Sequence, residues 1–274
     1  MILLGLANIT LILSFALICA RLANGSFPNP RTLWPQIRKD RTALLLLIAL
    51  VGGGIVDIVQ IHYDDLLTRA LALDFTPHIE RIEKGVVVTL QSYFDHPIIV
   101  GILSFAYIIS FPGLLVGMIL ATATAPGPDR TRLAHALLAY ALNYALVLPF
   151  YFLFPVNEPW SFPGSGVRPL LEETLGPAFM ESIRPFSGIN NCFPSYHVSL
   201  SVTLALVALE TRTPVGTFAA INAILIAAST VVLGFHWVVD VIAGILFGVF
   251  AYYLTRRLFP FPKSDTAFPD SPSR

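Results

Sequence analysis

Two histidines and one aspartate carry the chemistry that this chain could perform. Pro194-Ser195-Tyr196-His197 opens one apolar stretch, and Ser229-Thr230, His236 and Asp240 surround the junction between two later ones. Imidazole and carboxylate groups are costly next to hydrocarbon, so such placement is a functional candidate by default. Two imidazoles and a carboxylate suffice to move a phosphoryl group without a metal. One ring attacks phosphorus, the second protonates the departing oxygen, and the carboxylate fixes the attacking tautomer. His236 and Asp240 are four residues apart, so on a helix they share a face and can hydrogen-bond. Asp240 would then engage one ring nitrogen and leave the other basic. Taken alone, the pair could equally be a structural tie between two spans. Ser195 is suited to cap a helix whose N-terminal N–H groups and dipole favour phosphate oxygens, with His197 in the first turn.

The elements that must position these residues are membrane helices. Hydrophobic residues make up 55% of the 274, charged residues 12%, and mean hydropathy is +0.72. That balance needs lipid to hide its apolar surface. Net charge is zero, which leaves no basic field for nucleic acid. The two cysteines, Cys19 and Cys192, imply no disulfide framework, and no ligand spacing for a metal is recognisable. Apolar segments near 2–22, 42–61, 97–122, 133–154, 195–210, 215–234 and 236–256 predict an all-α integral membrane protein with about seven spans. The first lacks a basic leader region and is read as a retained span. Gly234 allows the break between the last two. Residues 62–96 are too polar to span. There Thr76-Pro77 predicts a helix start, and Ile79, Ile82, Val86 and Leu90 predict one apolar face lying on the membrane surface. Asp57 is a further intramembrane carboxylate of open role, and Asp64 and Asp65 read as a solvated helix end. The expected organisation is an N-terminal span and basic linker over 1–41, a catalytic membrane core over 42–258 and a disordered tail over 259–274.

Charge bias predicts the orientation. Placing linker 23–41 in the cytoplasm gathers Arg21, Arg31, Arg38, Lys39, Arg41, Arg130, Arg132, Arg212, Arg256, Arg257, Lys263 and Arg274 on that side. Only Arg69, Arg81, Lys84, Arg168 and Arg184 fall opposite, so the N-terminus is expected outside and the C-terminus in the cytoplasm. Loop 155–194, His197 and His236 then share the extracytoplasmic side.

These motifs resemble the second and third signatures of the type-2 phosphatidic acid phosphatase superfamily. The resemblance implies a six-helix core formed by the second to seventh spans, with the first span as an addition. It also implies a phosphohistidine intermediate, with neither metal nor other cofactor. By position, His236 is similar to the family nucleophile, Asp240 to its orienting carboxylate and His197 to its general acid. Ser195, Ser229 and Thr230 fall where phosphate is held. The third motif normally reads Ser-Arg, where this chain has Ser229-Thr230. The first normally has a lysine ahead of Arg-Pro. Here Arg168-Pro169 and Arg184-Pro185 are candidates, but Ser161 and Pro177 occupy the lysine positions. Either arginine could neutralise phosphate.

Pro155-Val156-Asn157-Glu158-Pro159-Trp160, Asn191 to Val198 and Val238 to Gly244 resemble the inositol phosphorylceramide synthase-like branch. That branch implies transfer of a phospho-headgroup from a lipid phosphate or phospholipid to an alcohol. A phosphohistidine serves water equally well, so a lipid or polyprenyl phosphate phosphatase is the alternative. A lipid flippase or transporter, with Asp57 as its coupling residue, is the alternative of another class. No internal repeat of the kind such transporters carry is visible.

Overall fold

The computed structural model describes residues 2–29, 31, 35, 38–39, 41–71, 74–124, 131–184 and 188–258. Helix α1 (Ile2–Asn24) is followed by α2 (Arg41–Leu71), the short helices α3 (Thr76–Glu83) and α4 (Val86–Phe94), and α5 (Pro97–Phe105). A π turn at Ala106–Ser110 joins α5 to α6 (Phe111–Ala123), and α7 (Thr131–Leu153) completes the first half. After it come α8 (Leu170–Leu175), α9 (Pro177–Ile183), α10 (Tyr196–Leu209), α11 (Pro214–Val232) and α12 (Val238–Leu258). The described residues contain no strand, only a bridge between Val156 and Asn191.

Five helices among the described residues are long and apolar enough to cross a membrane: Leu6–Asn24, Pro97–Ala123, His135–Leu153, Pro214–Val232 and Val238–Leu258. The expected span 195–210 is α10, whose 14 residues reach about 21 Å at 1.5 Å per residue, short of a ~30 Å hydrocarbon core. The expected span 42–61 falls in α2, several of whose side chains, including those of Asp57, Asp64 and Asp65, lie outside the described residues. So do tail 259–274, Pro185 and most of loop 123–132.

The N-terminal helix packs into the bundle. A Cβ at Gly113 would stand 2.7 Å from Phe15, and one at Gly117 2.6 Å from Cys19, so these glycines let α1 lie directly on α6. Phe15 also meets Phe218 of α11 at 5.2 Å between ring centroids, and Asn24 donates to the Ala121 carbonyl at 2.9 Å. In lipid, where apolar contact supplies little drive for association, such close backbone approach is what holds helices together.

The surface segment differs from its periodicity. Phe75 precedes the first turn of α3, and Asp74 accepts from the Thr76 N–H at 2.9 Å, so the start lies one residue earlier than expected. Lys84 and Gly85 then adopt left-handed φ of 43° and 80° and split the segment into two helices. That break resets the helical phase. Ile82 and Val86, expected to share one membrane-facing side with Ile79 and Leu90, are exposed, while Ile79 turns inward with Glu83, Val87 and Gln91.

Candidate active site

Helices α10 and α12 are joined along a face of small residues, and this contact builds the site. Asp240, Gly244 and Gly248 lie one turn apart on α12, facing Ser195 and Ser199 of α10. A Cβ at Gly244 would meet the Ser195 carbonyl at 2.7 Å, and one at Gly248 the Ser199 carbonyl at 2.5 Å. The Ser195 N–H donates to the Asp240 carbonyl at 3.1 Å, and Thr203 Oγ1 donates to the Gly248 carbonyl at 2.8 Å. Ser195 caps α10 as expected, accepting from the Val198 N–H at 3.4 Å.

His236 lies in the turn between α11 and α12, outside both spans. Gly234 at φ +91° makes that turn, and the Thr230 carbonyl accepts from the N–H groups of both Phe235 and His236. His236 Nδ1 lies 3.3 Å from Asp240 Oδ2, which also accepts from the Trp237 N–H at 2.9 Å. With Asp240 as acceptor, Nδ1 carries the proton and Nε2 keeps its lone pair. Burial pushes the His236 imidazole down to about 4, which keeps the ring neutral and nucleophilic at neutral pH.

The two imidazoles meet across one cavity. Their centroids are 5.9 Å apart at an interplanar angle of 64°. His197 stacks on Tyr107 at 4.8 Å and touches the Phe111 ring at 4.5 Å, so its orientation is fixed by aromatic packing. Both histidines line a cavity of about 70 Å³, against the ~10–15 Å³ that one ordered water needs. The cavity is therefore several times the volume one water needs, and both rings border it.

The residues expected to hold phosphate are divided by the fold. Ser229 and Thr230 donate their hydroxyls to the Ile226 and Ala227 carbonyls of their own helix, and neither lines the cavity. Ser195 spends its side chain on the cap. Arg168 is half-exposed, with its guanidinium on Asp95 and Glu173. Arg184 does not line the cavity either, but it pairs with Glu158, which does. Its Nη1 is 3.0 Å from Glu158 Oε2, its guanidinium covers the Trp160 ring at 5.1 Å, and its buried Nη2 has no hydrogen-bond partner among the described residues.

A family model described as PAP2 superfamily matches residues 81–254, more than half of the chain and all of the site just described. The chain belongs to the PAP2 superfamily. Membership supports an enzyme of phosphatase type in an all-helical, membrane-compatible scaffold. A 65-residue stretch is 42% identical to an uncharacterized protein of Methanocaldococcus jannaschii, covering 24% of this chain and 27% of that one. The chain thus matches only about a quarter of that relative's length. No solved structure matches it.

Three residues of this PAP2 chain escaped the sequence reading. Glu158 is buried and lines the cavity; burial pushes its carboxyl up to about 7, although Arg184 and Trp160 pull the other way. Buried Gln91 accepts from the Arg168 N–H at 3.0 Å and donates to the Arg168 and Val232 carbonyls at 2.8 and 2.9 Å. It thereby pins the loop beside Gly234, where a Cβ would stand 2.7 Å from the Arg168 carbonyl. Glu83 accepts from the Val239 N–H at 2.7 Å and caps α12 from a distant helix. Glu158 sits in the Pro155–Trp160 segment that the resemblance singled out. Gln91 and Glu83 carry no local signal.

Cys192 Sγ, a His236 ring nitrogen and an Asp240 oxygen lie within 4.8 Å of one another, the set among the described residues that could hold a cation. Each is already engaged: Cys192 with the Phe235 carbonyl at 3.2 Å, His236 and Asp240 with each other.

Proposed function

We propose that this PAP2 protein is a lipid phosphotransferase that works through a phosphohistidine on His236 without a metal. The observation that carries this reading is the pair of imidazoles 5.9 Å apart on one cavity, with Asp240 behind one of them. His236 Nε2 attacks phosphorus, and Asp240 stabilises the imidazolium that forms. His197 protonates the departing oxygen. Arg184, whose buried Nη2 has no partner among the described residues, supplies positive charge from behind Glu158, and the N-terminal turn of α10 adds its dipole. The substrate is a lipid phosphate or phospholipid that enters from the outer leaflet, with the site on the extracytoplasmic side, as the charge bias favours.

Transfer to an alcohol is favoured over hydrolysis by the resemblance to the inositol phosphorylceramide synthase-like branch. Two of the segments that carry it contribute Glu158, Asn191 and Cys192 to the cavity. The test has two parts. His236→Ala should leave a folded membrane protein with no turnover, and undiminished turnover would remove the nucleophile. Wild-type protein given lipid substrate but no alcohol should release phosphate or headgroup slowly. Rapid release would make it a hydrolase. EDTA should leave the rate unchanged, and restoration of a lost rate by Zn²⁺ would assign Cys192, His236 and Asp240 to a metal instead.

A further inference from the structure

We infer that Glu158 is a further catalytic residue: it takes the proton of the incoming acceptor hydroxyl in the second half-reaction. This inference rests on the phosphohistidine reading above. Glu158 is 2% exposed and shares the cavity with His197 and His236. A carboxylate buried so completely normally has both oxygens occupied. Here the hydrogen bonds from Trp160 Nε1, at 2.5 Å, and Arg184 Nη1, at 3.0 Å, both fall on Oε2. Neither bond falls on Oε1, and Glu158 is one of the residues that line the cavity.

The segment is held rigidly. The Glu158 N–H donates to the Ile189 carbonyl at 2.7 Å, and the Glu158 carbonyl accepts from the Ser161 N–H at 2.9 Å and its hydroxyl at 2.8 Å. A carboxylate fixed at one oxygen and open at the other is arranged to accept a proton. Its raised pKa, about 7, matches a base working near neutrality.

A transferase handles two alcohols, and two proton carriers on different elements let one serve each. In the first half-reaction His197 gives its proton to the departing oxygen. In the second, the acceptor oxygen bonds to phosphorus as the P–Nε2 bond breaks, and that electron pair returns to the His236 ring. The acceptor's proton passes to Glu158 Oε1 and from there to water, while His197 regains a proton from water. Charge and atoms balance with no further reactant.

The experiment separates the half-reactions by quenched labelling with a lipid donor radiolabelled at phosphorus. Glu158→Gln keeps an oxygen for Arg184 and Trp160 but cannot take a proton. It should form the acid-labile label at the wild-type rate, while decay of that label on adding alcohol slows by ~100-fold or more. Label formation also reports that the site is folded. If Glu158→Gln takes no label, Glu158→Asp decides: slowed decay supports the role, and wild-type decay overturns it. Wild-type decay in labelled Glu158→Gln, or formation and decay lost together in both variants, also overturns it. A wild-type protein that never becomes labelled while turning over overturns the phosphohistidine reading itself, and this role with it.

Discussion

The contact between α10 and α12 makes a sharp prediction about Gly244. An alanine Cβ there would stand 2.7 Å from the Ser195 carbonyl oxygen and 3.0 Å from Val198 Cβ, against about 3.4 Å for ordinary contact. The first distance falls short by about 0.7 Å, and the obstacle is backbone at the cap of α10, which cannot rotate away. Either the helices separate by that amount or the α10 cap breaks. Overpacking of this kind costs about 1–3 kcal/mol. At ~2–4 °C per kcal/mol for a chain of this size, Gly244→Ala should lower Tm in detergent by roughly 2–12 °C. Catalysis should suffer more, because the same contact sets His197 on one helix against His236 and Asp240 on the other. A 1 Å displacement of reacting groups costs about 10²-fold, so kcat on a lipid phosphate should fall by tens of fold or more. Gly101→Ala is the control, since nothing lies within 4 Å of a Cβ there. In a helix it should stabilise by roughly 0.5–1 kcal/mol and leave kcat unchanged. Gly244→Ala with wild-type kcat and Tm would refute the claim that this contact positions the site.

The two arginines should separate cleanly. Arg184→Ala should abolish turnover, whereas Arg168→Ala, which loses only exposed ion pairs, should stay within a few fold of wild type. The opposite ranking in steady-state rates would assign phosphate to Arg168. Gln91→Ala removes three hydrogen bonds to the backbone, one of them to the buried Val232 carbonyl at a cost of ~1–3 kcal/mol, so a drop in Tm is expected, and an unchanged Tm would contradict its role at the Gly234 turn. Stability against pH should respond oppositely at two positions. His236, lowered to about 4, makes the folded state bind fewer protons than the unfolded chain below pH 6.5, so its contribution is complete above 6.5 and lost as pH falls through 4. Glu158, raised to about 7 from 4.5, contributes fully below 4.5 and loses that contribution as pH rises through 7. Between pH 4.5 and 6.5, His236→Gln should therefore make Tm fall more steeply with rising pH, and Glu158→Gln should make it rise more steeply. Matching slopes in the two variants would contradict both assignments.

What could be read from the sequence, and what could not, divides by the range of the forces involved. The apolar runs, the break at Gly234, the Ser195 cap and the His236–Asp240 pair depend on neighbours within about one helical turn, so the chain spells them out. Ser229 and Thr230 show the limit of that logic. Their type and position suggest phosphate ligands, yet a hydroxyl inside a helix has a carbonyl of the preceding turn in reach, and both take it. The apolar face of residues 76–94 failed for another local reason, a left-handed step at Lys84-Gly85 that periodicity alone does not register. Arg168 and Arg184 each precede proline and look alike in sequence. They differ because Asp95 and Glu173 claim one at the surface, while Glu158, which lines the cavity, pairs with the other from 26 residues away. Glu158 in turn differs from a solvated acid only through burial, which no local pattern reports. Glu83 and Gln91 belong to the same class: each completes a helix end contributed by a distant part of the chain. The groups proposed to react are therefore legible in short motifs, whereas the groups that orient them are chosen by tertiary packing. The role proposed for Glu158 depends on that second set.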